Sequence, residues 1–142
     1  MIRFEHRPPT VEEFRSVAES VGWIDHFDWP TIGRALQASL AGVVALDGDR
    51  VVGVARTVGD GVRYFSIHDV MVRPDASDQG VASMLVTQLL ERIRALAPAE
   101  AVIGLFASPE ATGVYETLGF TAATDDPLGM TLTIRPDANR EP

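Results

Sequence analysis

Two ionisable side chains, His68 and Asp69, interrupt an apolar run from Tyr64 to Arg73. Val70 and Val72 alternate with Phe65, Ile67 and Met71, so both faces are apolar and the run reads as a central strand covered on both sides. An imidazole, with a reference pKa of about 6.5, exchanges protons near neutrality, whereas a carboxylate at about 3.9 needs burial to become comparably basic. Strict alternation puts the two side chains on opposite faces, so at most one addresses a ligand directly. His68 is the better-matched base; structural roles for both are the competing reading.

The same strand leads into a second candidate. Pro74 ends it, and a polar turn, Ser77-Asp78-Gln79-Gly80, precedes a helix starting at Val81. Unpaired N–H groups at a helix start, aided by the helix dipole, suit a phosphate. Gly80 allows a ligand close to the backbone, and the small Ala82 leaves the approach open. Many α/β proteins have a glycine where a strand turns into a helix, so this turn alone names no ligand. A third cluster, Trp23 to Pro30, holds both tryptophans with Asp25, His26, Phe27 and Asp28. It either lines a pocket or covers the core beneath a loop.

The elements that carry these residues are legible from periodicity and turn chemistry. Ile2 to His6 reads as a strand ended by Pro8-Pro9. Thr10-Val11-Glu12-Glu13 reads as a capping box, with Val11, Phe14, Val17, Ala18 and Val21 as the buried stripe and Gly22 as terminator. A short helix follows from Thr31. Gly42–Leu46 and Val51–Val58 form a hairpin around Asp47-Gly48-Asp49-Arg50. The long helix runs from about Val81 to Leu96 with Ala82, Leu85, Leu89, Ile93 and Leu96 inward. Ala101–Ala107 reads as a further buried strand. Ser108-Pro109-Glu110 opens a last helix that Gly119 ends. Phe120–Ala123 and Met130–Ile134 read as a closing pair of strands.

At 142 residues, with 46% hydrophobic and 23% charged residues, the composition is that of one soluble domain. No apolar run approaches the roughly 20 residues of a membrane span, and Met1-Ile2-Arg3-Phe4-Glu5 has no signal-peptide character. A cytoplasmic protein is expected. Without cysteine there is no disulfide, thiolate nucleophile or Cys-based zinc site. His6, His26 and His68 lack ligand spacing, so no metal is expected. A net charge of −8 disfavours nucleic acid and is compatible with a cationic acceptor.

Two segments in combination carry a resemblance. Val72-Arg73-Pro74 with the following turn resembles the acetyl-CoA-binding motif of the GCN5-related N-acetyltransferase (GNAT) family, Arg/Gln-x-x-Gly-x-Gly/Ala. Ala111-Thr112-Gly113-Val114-Tyr115-Glu116-Thr117-Leu118-Gly119-Phe120 resembles that family's late helix, A-x-x-(F/L)-Y-E-x-L-G-F. Order and separation match, and Val51-Val52-Gly53-Val54-Ala55-Arg56 resembles its first hairpin. Two departures stand out: Ser77 replaces the usual Arg or Gln, and Asp78 stands where Gly is common.

The resemblance implies an α/β (α+β) GNAT-like fold, with a mixed sheet of about six to seven strands and about four helices. Residues 1–135 would form a single N-acetyltransferase domain and 136–142 a frayed tail. It implies acetyl-CoA held along Val70, Met71 and Val72, at Ser77, Asp78, Gln79, Gly80, Val81, Ala82 and Ser83, and at Ser108, where the family often has Asn. It implies an amine attacking the thioester directly, with Tyr115 as general acid, although Ala111, Val114, Tyr115 and Leu118 also fall on one core-type stripe. Trp23, Phe27 and Trp29 would wall the acceptor site, and Arg56 would select an acceptor carboxylate. A small-molecule amine is the expected acceptor, and the family pattern is compatible with a homodimer. The altered turn keeps a non-catalytic acetyl-CoA-binding module as an alternative, and a protein or peptide acetyltransferase is a third.

Overall fold

A computed structural model describes residues 1–124 and 129–135 of the chain. Five strands form one sheet, in the order β1 (Ile2–Glu5), β2 (Ala41–Asp47), β3 (Arg50–Gly59), β4 (Tyr64–Val72) and β5 (Val102–Leu105). β1 to β4 pair antiparallel, while β4 and β5 are parallel. A parallel pair needs a crossover, and helix α3 (Val81–Leu96) is that connection. Its inward stripe, Val81, Leu85, Val86, Leu89, Leu90 and Ile93, is buried against Val43, Ala45, Val52, Phe65 and Ile67. Each such side chain contributes roughly 1.5–3 kcal/mol by leaving water.

The other face is covered by α1 (Val11–Ser20) and α2 (Trp29–Gln37), whose Phe14, Val17, Ala18, Ile32 and Leu36 bury Val54 and Met71. α1 starts as expected. Thr10 Oγ1 accepts from the Glu13 amide at 3.1 Å, and the Thr10 amide donates to the Glu13 carboxylate at 2.8 Å. Arg7 holds the same carboxylate through two bonds of 2.7 and 2.9 Å, which with the cap lowers its pKa to about 2. Where the chain passes over β2, a Cβ on Gly42 would lie 2.5 Å from the Pro8 Cα, so only glycine admits the crossing. α2 begins at Trp29 rather than Thr31, because Pro30 fits the first helical turn and Asp28 stands as its N-cap.

The sheet is smaller than expected. Phe120–Ala123 and Met130–Ile134 are not strands. Met130, Leu132 and Ile134 are 81–86% exposed, and this alternating segment finds no ladder among the described residues. β5 is shorter than Ala101–Ala107 and is not buried. Only its α3-facing residues are covered, while Val102 and, just beyond the strand, Phe106 stand exposed. The segment 136–142 lies outside the described residues. The last helix is preceded by a 3-10 turn, Pro109–Ala111, and α4 itself spans Thr112–Thr117, with Tyr115, Leu118 and Phe120 leaning on the α3-side core.

One irregularity re-aims the central strand. Val54 pairs with Met71 and Arg56 with His68, so Ala55 alone faces two residues, Asp69 and Val70. This is a β-bulge, and Asp69 sits at φ 58° in the left-handed region. The extra residue inverts the pleat: Val70 and Val72 join Phe65 and Ile67 on the α3 side, while Met71 faces α1 and α2. Plain alternation through the strand is thereby corrected.

Candidate active site

β4 and β5 pair only from Tyr64 with Val102 to Ile67 with Leu105. Beyond Ile67, along His68–Val72, the outer edge of β4 has no strand partner among the described residues. The edge is thus left with backbone groups free to pair with an extended ligand. Val70 and Val72 are half-buried at this edge, and Met71 is core.

The bulge also settles how His68 and Asp69 relate. His68 is the cross-strand partner of Arg56, so both lie on the face covered by α1 and α2. The Asp69 carboxylate accepts from Arg56 Nε at 2.7 Å. Both residues of the pair therefore address one face, which overturns the opposite-face expectation; the extra bulge residue is the cause. His68 Nε2 lies 2.8 Å from the Ser66 hydroxyl, two residues back on the same face. Ser66 was absent from the sequence reading, although a period of two would have placed it beside His68.

Arg56 is engaged within the chain. Besides Asp69, its Nη1 donates to the Ala35 carbonyl at 3.1 Å and to the Ser39 hydroxyl at 3.2 Å. Its Nε and Nη1 are thus taken up by protein groups.

At the strand's end the turn expected before α3 is a 3-10 helix, Pro74–Gln79. Arg73 fixes its base: the amide donates to the Val52 carbonyl at 2.8 Å, Nε donates to the Val51 carbonyl at 2.7 Å, and the guanidinium also contacts Ser16. Ala76 is buried beneath the turn, while Ser77, Asp78, Gln79 and Gly80 are exposed. The Ser77 hydroxyl donates to the Pro74 carbonyl at 2.8 Å, so it stabilises the turn itself. Gly80 is left-handed (φ 71°, ψ 20°), and a Cβ there would touch nothing within 4 Å. Glycine is needed for the backbone angle, and the space beside it is open.

Gly80 is the N-cap of α3 and supplies no side-chain acceptor, and the first turn contains no acidic residue. Helix geometry leaves the amides of Val81, Ala82 and Ser83 without acceptors inside the helix. An anion of the diphosphate type fits this arrangement: open approach, unpaired N–H groups, and a favourable dipole.

Tyr115, on α4, is half-buried, and its ring meets Phe120 edge-on at 6.0 Å. Burial raises its phenol pKa above the ordinary value, favouring the protonated form. Ser108 is exposed and extended just before the 3-10 turn at Pro109. In the aromatic cluster, Phe27 and Trp29 pack edge-on against each other and against buried Phe14. Trp29 is pinned further by a 2.9 Å bond from its indole N–H to the Ile24 carbonyl. These two cover the core, whereas Trp23 is exposed and tilts toward His26 at 5.7 Å. Among the described residues no group of three or more His, Asp or Glu is arranged to hold a metal ion. No helix among them is long and apolar enough to cross a membrane.

Comparison with known proteins gives the family and the fold. Residues 30–129 match the family described as Acetyltransferase (GNAT) domain. The chain belongs to the GNAT family of acetyltransferases. It is 29% identical over 123 residues to the uncharacterized N-acetyltransferase ycf52 of Pyropia yezoensis, covering 83% of this chain and 68% of that protein. Further curated relatives at 33–34% identity are matched over less than half of their own length.

Among solved structures, a GNAT family acetyltransferase from Streptococcus pneumoniae superposes with a TM-score of 0.81 at 26% identity, covering 96% of this chain and all of that one. A Staphylococcus aureus protein described as a probable acetyltransferase shares the fold at a TM-score of 0.84 and 24% identity, over 94% of this chain and 100% of its own.

Proposed function

We propose that this chain transfers acetyl from acetyl-CoA to the amine of a small molecule, by direct attack and without a covalent intermediate on the enzyme. The observation that carries the reading is the outer edge of β4 from His68 to Val72, which has no strand partner among the described residues and leads through an anchored turn to the start of α3. In this reading the backbone of Val70, Met71 and Val72 pairs with the pantetheine chain. The amides from Ser77 to Ser83 receive the diphosphate, with Gly80 at their centre, and Ser108 lies along the arm. Acetyl-CoA supplies the activated acyl group.

An alkylamine with a pKa of about 10.4 is neutral at pH 7 in only about one molecule in a few thousand. His68, oriented by Ser66, takes the proton as the amine attacks. Tyr115 gives a proton, or a strong hydrogen bond, to the departing sulfur; the support for that role is its place at the tyrosine of the late-helix motif, since burial raises its phenol pKa and by itself weakens it as an acid. Trp23 is the exposed ring of the acceptor wall, while Phe27 and Trp29 join it from the aromatic cluster over Phe14. The domain so defined runs from 1 to 135, and its setting is the cytoplasm.

Release of free coenzyme A thiol, measured with a panel of small amines and peptides, tests the reading. Acetyl-CoA-dependent release with a small amine is expected. Ser77 and Asp78, which depart from the family's turn pattern, keep open a second reading, a module that binds acetyl-CoA without turnover. Uptake with no thiol release across the panel would select it.

A further inference from the structure

Resting on the acetyl-transfer reading, we propose that Arg56 is a positioning residue acting through Asp69. It pins Asp69 in the left-handed conformation that makes the β4 bulge, and so fixes which backbone groups of Val70–Val72 face the acyl donor.

Arg56 and Asp69 have only 14% and 17% of their side chains exposed, and they meet at 2.7 Å. Burying such a pair carries a desolvation cost that offsets its attraction, so a buried ion pair is poor evidence of stabilisation and better evidence of conformational specification. Arg56 also grips the Ala35 carbonyl and Ser39, tying the end of α2 to β3 and, through Asp69, to β4. Asp69 is the one non-glycine residue at positive φ among the described residues. Left-handed backbone is unfavourable for most residues, and Asp and Asn tolerate it best.

Apolar packing explains only part of this. Met71 must face Val54 and Phe14, while Ile67 and Val70 must face α3, so one extra residue has to be absorbed between Ile67 and Met71. Packing does not determine which residue takes the unusual angle. The Arg56 contact does, and it does so where β4 parts from β5. If the bulge moved by one residue, the backbone groups offered at the free edge would exchange directions. Asp69 then contributes through its conformation and its anchor, and needs no proton-transfer role.

The test compares Asp69→Asn, Asp69→Gly, Asp69→Ala and Arg56→Met by kcat/KM for acetyl-CoA at saturating amine, with melting temperature as the folding control. Wild-type uptake of coenzyme A by calorimetry comes first. If it fails, the acetyl-transfer reading itself falls and takes this inference with it. With uptake established, Asp69→Asn, which keeps an acceptor for Arg56 and tolerates the left-handed angle, should retain activity within about tenfold. Asp69→Gly, which restores the angle without the anchor, should exceed Asp69→Ala, and Asp69→Ala and Arg56→Met should lose about tenfold or more. A folded Asp69→Asn that loses more than about tenfold overturns the inference, because the carboxylate itself would then be required. A folded Asp69→Ala equal to Asp69→Asn overturns it as well. If Asp69→Ala or Arg56→Met cannot be recovered folded, the Asn variant decides alone by the same threshold.

Discussion

The Ser66 hydroxyl lies 2.8 Å from Nε2 of His68, on the face of β4 that looks toward α1 and α2. The contact orients the imidazole on a strand whose outer edge, just beyond it, has no strand partner among the described residues. Removing it with Ser66→Ala should slow turnover about three- to tenfold, the worth of one hydrogen bond, and leave coenzyme A affinity unchanged. His68→Gln should cost about a hundredfold at neutral pH. That gap should narrow above about pH 10, where the amine is already neutral. Steady-state rates for both variants across pH check this; a deficit as large at high pH would remove His68 from the proton path.

Tyr115→Phe should keep the fold and coenzyme A affinity while lowering turnover at least about tenfold, or roughly 1.4 kcal/mol of barrier. Because burial raises the phenol's pKa, the proton stays in place through neutral pH, and the deficit should be flat there. Equal rates for variant and wild type with a good acceptor would make Tyr115 a core residue only.

Gly80 separates conformation from space. A Cβ at this position meets nothing within 4 Å, yet φ is 71°. Gly80→Ala should therefore cost about 1 kcal/mol of stability through the backbone alone and weaken coenzyme A binding. Gly80→Asn, which accepts the left-handed angle, should be milder in both. Thermal melts and titration calorimetry read the two effects; an Ala variant unchanged in both would show that the angle is not needed.

The Arg7–Glu13 pair predicts an acid limb of stability. Held chiefly by Arg7, the Glu13 carboxyl has a pKa of about 2 against an ordinary 4.5. A depressed pKa means that the unfolded chain binds the proton more readily, so the contribution is complete above 4.5 and is lost as pH falls toward 2. Glu13→Gln should destabilise by about 1 kcal/mol near neutrality, discounted because Arg7 is partly exposed to solvent. The difference between the variant and wild type should shrink below about pH 4. Denaturant titrations at several pH values measure it.

Much of this architecture is written in local chemistry. The Thr10–Glu13 box, the Gly22 stop and the hairpin at Gly48 follow from short-range rules and form as read, and the helix stripes do so except that Val11 is exposed and Ala82 and Leu96 are only half-buried. The turn at Gly80 and the late helix carrying Tyr115 were legible because they resemble paired family motifs. What escaped was set by tertiary pairing. Nothing in the run from Tyr64 to Arg73 marks the extra residue at Asp69; only the cross-strand register with Arg56 and Val54 reveals it, and with it the true faces of His68, Val70 and Met71. Met130, Leu132 and Ile134 have the alternation of a strand, but alternation supplies no partner, and the segment stands exposed. Arg56 looked available to a ligand because its partners, Ala35 and Ser39, lie about 20 residues away in sequence.

Titration calorimetry of the purified protein with coenzyme A and acetyl-CoA tests the central claim most directly. Saturable uptake that is weakened in Gly80→Ala is predicted. Folded wild-type protein that takes up neither thiol nor thioester contradicts the account.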